Sequence, residues 1–164
     1  MGSELGSVFL DFSVRKLRQH TSEIERCLAR LSEEQVWYRR TENENAMGSL
    51  VLHLCGNVGQ RVTAFTGRPD VRVRELEFST KGGIAKTALM ERLRVTVDEM
   101  VAILSTMPAE KIGQLVTVGE FHNTILESTY HMVGHFALHT GQIIFATKLM
   151  TGENLGFYQP PAPK

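Results

Sequence analysis

Two cysteines in 164 residues, Cys27 and Cys55, are too few for a disulfide framework, and no Cys-x-x-Cys pair exists. Charge of one sign is missing too: 18 basic residues balance 18 acidic ones. With no long basic run, nothing draws a phosphate backbone from a distance, which excludes a nucleic-acid arm. The zero balance also removes one barrier to self-association. No apolar run approaches the roughly 20 residues of a bilayer span. Met1 to Gly6 are small and acidic rather than basic then apolar, so they do not read as a signal peptide. Repeats and low-complexity tracts are absent. These absences predict a soluble cytoplasmic protein with no membrane or nucleic-acid partner.

What is present fits one domain over residues 1–164, long enough to bury a core without staples. Four stretches carry helical periodicity. The first covers about residues 7–31, with Phe9, Phe12, Leu17, Ile24, Leu28 and Leu31 at helical spacing. Ser32-Glu33-Glu34-Gln35 then forms a capping-box pattern for a short new turn, whose Trp37 and Tyr38 are expected to cover one end of the core. The second helix covers about residues 46–65, with Asn45 as N-cap and Thr66-Gly67-Arg68-Pro69 as its stop. A loop over residues 68–83 leads to the third helix, about 85–106, whose stripe is Leu89, Leu93, Val97, Val101 and Leu104. Residues 109–123 are irregular, with Leu115–Val118 as a brief extended segment. The fourth helix covers about 124–150 and Thr151-Gly152 closes it. The tail from Gly156 through Tyr158 to Pro161 is not helical. The expected fold is all-α, a four-helix bundle with a short irregular segment before the last helix.

The fourth helix contains His131, His135 and His139, four residues apart on one face, with Gln142 beside them. Histidines one turn apart can share an ion. Three along one straight helix cannot, because His131 and His139 lie about 12 Å apart along the axis. One pair can therefore bind, and the third ligand must come from another element. The best outside donor is His53, midway along the second helix. Its face carries Ser49, Gly56, Asn57, Gln60 and Ala64, a small, polar stripe that either leaves room for an ion in the bundle or simply faces water. His20 reads as a surface residue and His122 as a cap or loop residue. Cys55 points away from His53, and both cysteines read as core. The fourth helix is also apolar on the opposite side, at Leu126, Val133, Thr140 and Ile144, a surface that a second subunit or the tail must cover.

At this point the chain resembles the DinB-like superfamily of metal-binding four-helix bundles, and within it the DUF1572 branch. The carrying residues are Leu50-Val51-Leu52-His53-Leu54-Cys55-Gly56-Asn57 and Gly134-His135-Phe136-Ala137-Leu138-His139-Thr140-Gly141-Gln142-Ile143, with the ending Thr151-Gly152-Glu153-Asn154-Leu155-Gly156-Phe157-Tyr158. The likeness covers nearly the whole chain. It implies an up-down-down-up bundle, and it selects His53, His135 and His139 as metal ligands, leaving His131 one turn outside. It implies zinc or nickel as the ion and a homodimer as the assembly. Many members carry Arg where Thr140 stands, so that group is absent here. Characterised relatives include transferases using low-molecular-weight thiols and a mycothiol-dependent isomerase. The family's name refers to DNA damage, which the neutral charge does not support.

The resulting functional expectation is a metal-dependent enzyme, a low-molecular-weight-thiol S-transferase, with His131, Gln142 and Asn57 as candidates to orient ligand or carry a proton. The alternatives are a metal-dependent hydrolase, a non-catalytic metal or small-molecule binding bundle, and a structural bundle with incidental histidines. No obvious general base of carboxylate type accompanies the histidines on these two faces, which weakens the hydrolase alternative. The dimer is expected to bury Val133, Thr140 and Ile144.

Overall fold

The computed structural model describes residues 2–157. Tyr158 to Pro161 of the expected non-helical tail lie outside them. Four long helices dominate: α1 (Gly2–Ala29), α3 (Met47–Thr66), α5 (Lys86–Thr106) and α6 (Ile125–Thr151). Between them lie two short helices, α2 (Glu33–Trp37) and α4 (Arg74–Ser79), a 3₁₀ turn (Ala109–Gly113) and a hairpin of β1 (Leu115–Val118) with β2 (Phe121–Thr124).

The helices α1 and α5 each bury one stripe. On α1 it is Leu10, Val14, Leu17, Ile24 and Leu28, and on α5 Leu89, Leu93, Val97, Val101 and Leu104. The α1 stripe begins one residue away from where periodicity put it. Phe12 is half exposed beneath the cations of Arg15 and Lys16, while Leu10 and Val14 go inside. Burial of the two stripes, at about 25 cal/mol per Å² of apolar surface, is the main force closing the bundle.

Contacts at the helix ends establish the directions. Arg26 near the end of α1 donates to the carbonyl of Leu155 beyond α6, and Arg30 pairs with Glu153, so α1 and α6 run parallel. Lys86 at the start of α5 donates to Glu33 just past α1, so those two are antiparallel. Trp37 joins the starts of α3 and α5: its ring lies against Gly48, and its indole N–H donates to Ile84. Thr147 meets Met47, setting α6 against α3 head to tail. The order is up-down-down-up, with α1 and α3 on one diagonal and α5 and α6 on the other.

The caps follow the sequence closely. Ser32 with Gln35 forms the expected capping box, and Thr124 with Glu127 forms a second one at α6. Gly67 and Gly152 close α3 and α6 in the left-handed conformation, as glycine readily does. Two details differ. Ala46, not Asn45, is the N-cap of α3; its methyl offers no acceptor for the first turn, and that end is buried, with Trp37 against Gly48. Tyr38 turns outward and is more than half exposed, so Trp37 alone covers the core. The irregular segment is a hairpin: Leu115 pairs with Thr124 and Val118 with Phe121, and β2 runs directly into α6.

Candidate metal centre

Midway along the bundle α3 faces α6. His53 projects from α3 toward His135 and His139 on α6. The Nε2 atom of His135 lies 3.1 Å from Nε2 of His53 and 3.1 Å from Nε2 of His139. One ligand atom from each of the three lies within 4.8 Å of the others, and the group could hold a metal ion. Nitrogens bound tetrahedrally at 2.0–2.1 Å are about 3.3 Å apart, so little movement separates this arrangement from coordination.

The tautomers fit as well. His53 Nδ1 lies 2.8 Å from Glu77 Oε2, a carboxylate that can only accept. His139 Nδ1 lies 2.7 Å from Gln142 Oε1. Each Nδ1 therefore carries the proton, leaving the Nε2 lone pair of each ring aimed at the common point. A single N–H on His135 can satisfy only one of those lone pairs at a time, whereas a cation satisfies every one. The Nδ1 of His135 is buried without a partner.

Glu77 comes from α4, within residues 68–83, where the sequence predicts a loop. It is buried, and Arg72 grips both of its oxygens at 2.7 and 2.9 Å. The carboxylate sits behind His53, away from Nε2, and its charge is already paired. It orients the His53 ring and does not stand where a hydrolase's general base would. Gly56 makes this approach possible, since a Cβ there would overlap the Glu77 carboxylate. Ser49 and Asn57 on the same stripe are buried, and Ser49 donates to Thr80 in the crossover. The polar stripe of α3 thus lies beneath the α4 crossover rather than facing water.

His131 is exposed and stacks on His135, with ring centroids 5.8 Å apart, outside the triad. Gln142 holds His139, while the Asn57 side-chain oxygen is buried and unpartnered. His20 is half buried, bonded to Glu23 and stacked toward Phe136, so it is not the surface residue expected. His122 is exposed on β2 against Thr117. Both cysteines are buried and free. Burial pushes the Cys55 thiol up to about 12, which removes it as a thiolate. A cavity of about 780 Å³ beside Cys55, between α3 and α5, contains none of the histidines.

Sequence reasoning missed Glu77, Arg72 and Arg61. Nothing in a six-residue helix advertises Glu77. Arg61 did carry a signal, because it is the one charged residue of α3.

Burial, then the neighbouring His139 and His53, pushes His135 down to about 3. His53 is lowered by burial against the pull of Glu77. In the unfolded chain such histidines take up protons near pH 6.5. Below that pH the unfolded state therefore binds more protons than the metal-free folded state, and stability falls with pH. After chelation, the urea midpoint at about pH 5.5 is expected below that at about pH 7.5. An equal or higher midpoint at the lower pH would contradict this reading of the triad.

The family described as "Protein of unknown function (DUF1572)" matches residues 4–160. No curated protein matches the chain. A crystal structure of a DinB-like protein of Bacillus subtilis, YjoA, superposes with a TM-score of 0.65 over 90% of this chain and 97% of that one. At 19% identity, that likeness speaks for the fold alone. The family match spans α3, α6, the α4 crossover and the hairpin. The chain belongs to the DUF1572 family and has the DinB-like fold.

Proposed function

We propose that His53, His135 and His139 bind a divalent ion, zinc or nickel, and that the protein is a cytoplasmic metal-dependent S-transferase acting with a low-molecular-weight thiol. The carrying observation is the convergence of three imidazole nitrogens from two helices, two of them with their outer nitrogens held by Glu77 and Gln142. Three protein ligands leave a fourth position for a small molecule, and an ion there lowers the pKa of a bound thiol. Glu77 and Gln142 keep the rings turned inward, and His131 stands at the edge to exchange a proton with solvent. The paired state of Glu77 favours this reading over a hydrolase.

The test is metal analysis of untagged protein, followed by thiol-dependent consumption of a generic electrophile such as monobromobimane. About one equivalent of ion and turnover that chelation abolishes are expected. Stoichiometric metal with no turnover for any thiol would leave a binding protein instead.

We also propose a homodimer. The interface expected from the helical wheel needs correction. Thr140 is buried inside the subunit, and Val133 and Ile144 pack against its own core. The uncovered face of α6 carries Tyr130, Leu138, Phe145 and Leu149, each more than half exposed, around Gly134 and Gly141. Small residues between aromatic ones allow close approach of a second helix, and a two-fold contact uses the same face twice. Light scattering is expected to give twice 18.4 kDa for the unaltered chain and 18.4 kDa for Phe145→Glu. A monomeric unaltered chain would remove the proposal.

A further inference from the structure

Arg61 lies one turn beyond Asn57 and two beyond His53 on α3, and it is only 6% exposed. Its Nε donates to the carbonyl of Ser128 at 3.2 Å and its Nη1 to the carbonyl of Asn57 at 2.9 Å. Both acceptors are neutral. Its electrostatic neighbours are cationic or titratable to cations: Arg72, which Glu77 already pairs, His131 and His135. Among the described residues no carboxylate forms an ion pair with it. A buried cation with no counter-ion is costly, and proteins seldom leave one so.

The surroundings are equally incomplete. Ser128 Oγ, a hydroxyl that can donate, is buried without a hydrogen-bond partner, as is Asn57 Oδ1, an acceptor that a carboxylate does not answer. A cavity of about 560 Å³ opens here, lined by Arg61, Arg72, Arg74, Asn57, Asn123 and His131. The one acid on its wall is Glu120, exposed at the hairpin turn. The cavity adjoins the histidine triad on two sides. His131 stacks on His135, and Asn57 is one turn from His53.

We infer that this cavity binds a small organic carboxylate, with Arg61 as its ion-pair partner and Asn57 and His131 flanking it. One unanswered buried charge matches one carboxylate, and the guanidinium fork suits its two oxygens. The charge argument needs no ion. Only the placement of the ligand's other end, at the triad, rests on the metal reading above.

The experiment is calorimetric titration of the full chain with succinate, with inorganic phosphate, and with uncharged succinamide. Each is run as purified and after chelation, with metal content measured on the same samples. Saturable succinate binding that survives chelation is expected, with none for succinamide. Arg61→Lys keeps the charge but loses the fork, and weakens binding about tenfold or more. Arg61 truncation risks the fold, so Asn57→Asp is the second variant. It places a carboxylate one turn from Arg61 and is expected to abolish succinate binding while the melting temperature holds or rises. No binding to the unaltered chain, binding lost on chelation, or binding indifferent to Asn57→Asp would overturn the inference. Phosphate binding tighter than succinate would overturn the carboxylate assignment. Succinate binding by protein with no metal capacity would keep this site and sink the metal reading alone.

Discussion

Replacing His135 by alanine is expected to abolish stoichiometric metal binding, from about one equivalent to under a tenth. His135 is the hub of the triad, since its Nε2 lies 3.1 Å from both of the others. Without it, His53 and His139 remain on opposite helices as a two-ligand site. The folded chain should nonetheless survive. His135 is half buried, and its Nδ1 has no partner to lose. After chelation the variant is expected to unfold within about 1 kcal/mol of the unaltered protein. The loaded, unaltered protein should stand about 2.7 kcal/mol above its chelated form when free metal is a hundredfold over Kd, a difference the variant lacks. His131→Ala is the control and should keep its ion, because that ring lies outside the triad. Full metal content in His135→Ala, or loss of it in His131→Ala, would overturn the assignment of His53, His135 and His139.

The second large effect concerns Glu77. Its removal as Glu77→Ala takes the carboxylate from the partly buried Arg72 guanidinium, which keeps only Gln60, and the acceptor from the His53 Nδ1–H. Breaking one side of a buried charge pair costs about 3–5 kcal/mol, which for a domain of this size is a large share of total stability. Glu77→Gln separates the roles. Its amide oxygen can still accept from His53, but the charge that answers Arg72 is gone. Metal affinity in Glu77→Gln is expected to fall about 10- to 100-fold, the usual range for a partner behind a ligating histidine. Gly56→Ala should mimic these losses by pushing the carboxylate aside. Equilibrium unfolding and competition with a metal indicator measure both quantities. A Glu77→Ala chain as stable as the unaltered one, with unchanged affinity, would mean that Glu77 does not support the site.

These two residues also mark how far the sequence was legible. His135 and His139 stand four apart on a long amphipathic helix, and fixed helical geometry carries that spacing directly into space. The α5 stripe and both glycine stops were legible for the same reason: local rules decide them. Glu77 was not, because its role arises from docking. A six-residue helix has no period to detect, and only tertiary contact brings Glu77 to His53, 24 positions earlier. The hairpin was half visible, with Leu115–Val118 apparent and its partner Phe121–Thr124 hidden by exposed, mixed residues. The open face of α6 was misplaced because a helical wheel shows which sectors are apolar but not which neighbours cover them. The chain itself covers Thr140, while Phe145 stays open.

The up-down-down-up order has a kinetic consequence. His53 and His135 are 82 positions apart, and the seam they close joins the second helix of the ring to the last. Contacts of such long range form late in folding, after the local helices have committed. An ion at this seam would therefore do little for the speed of folding and much for the speed of unfolding, since α3 and α6 cannot separate until a ligand lets go. Its contribution would be read as lifetime: how long a molecule resists a protease or a denaturant before first opening. Two populations with the same fold, one loaded and one empty, would then age at different rates in the same solution.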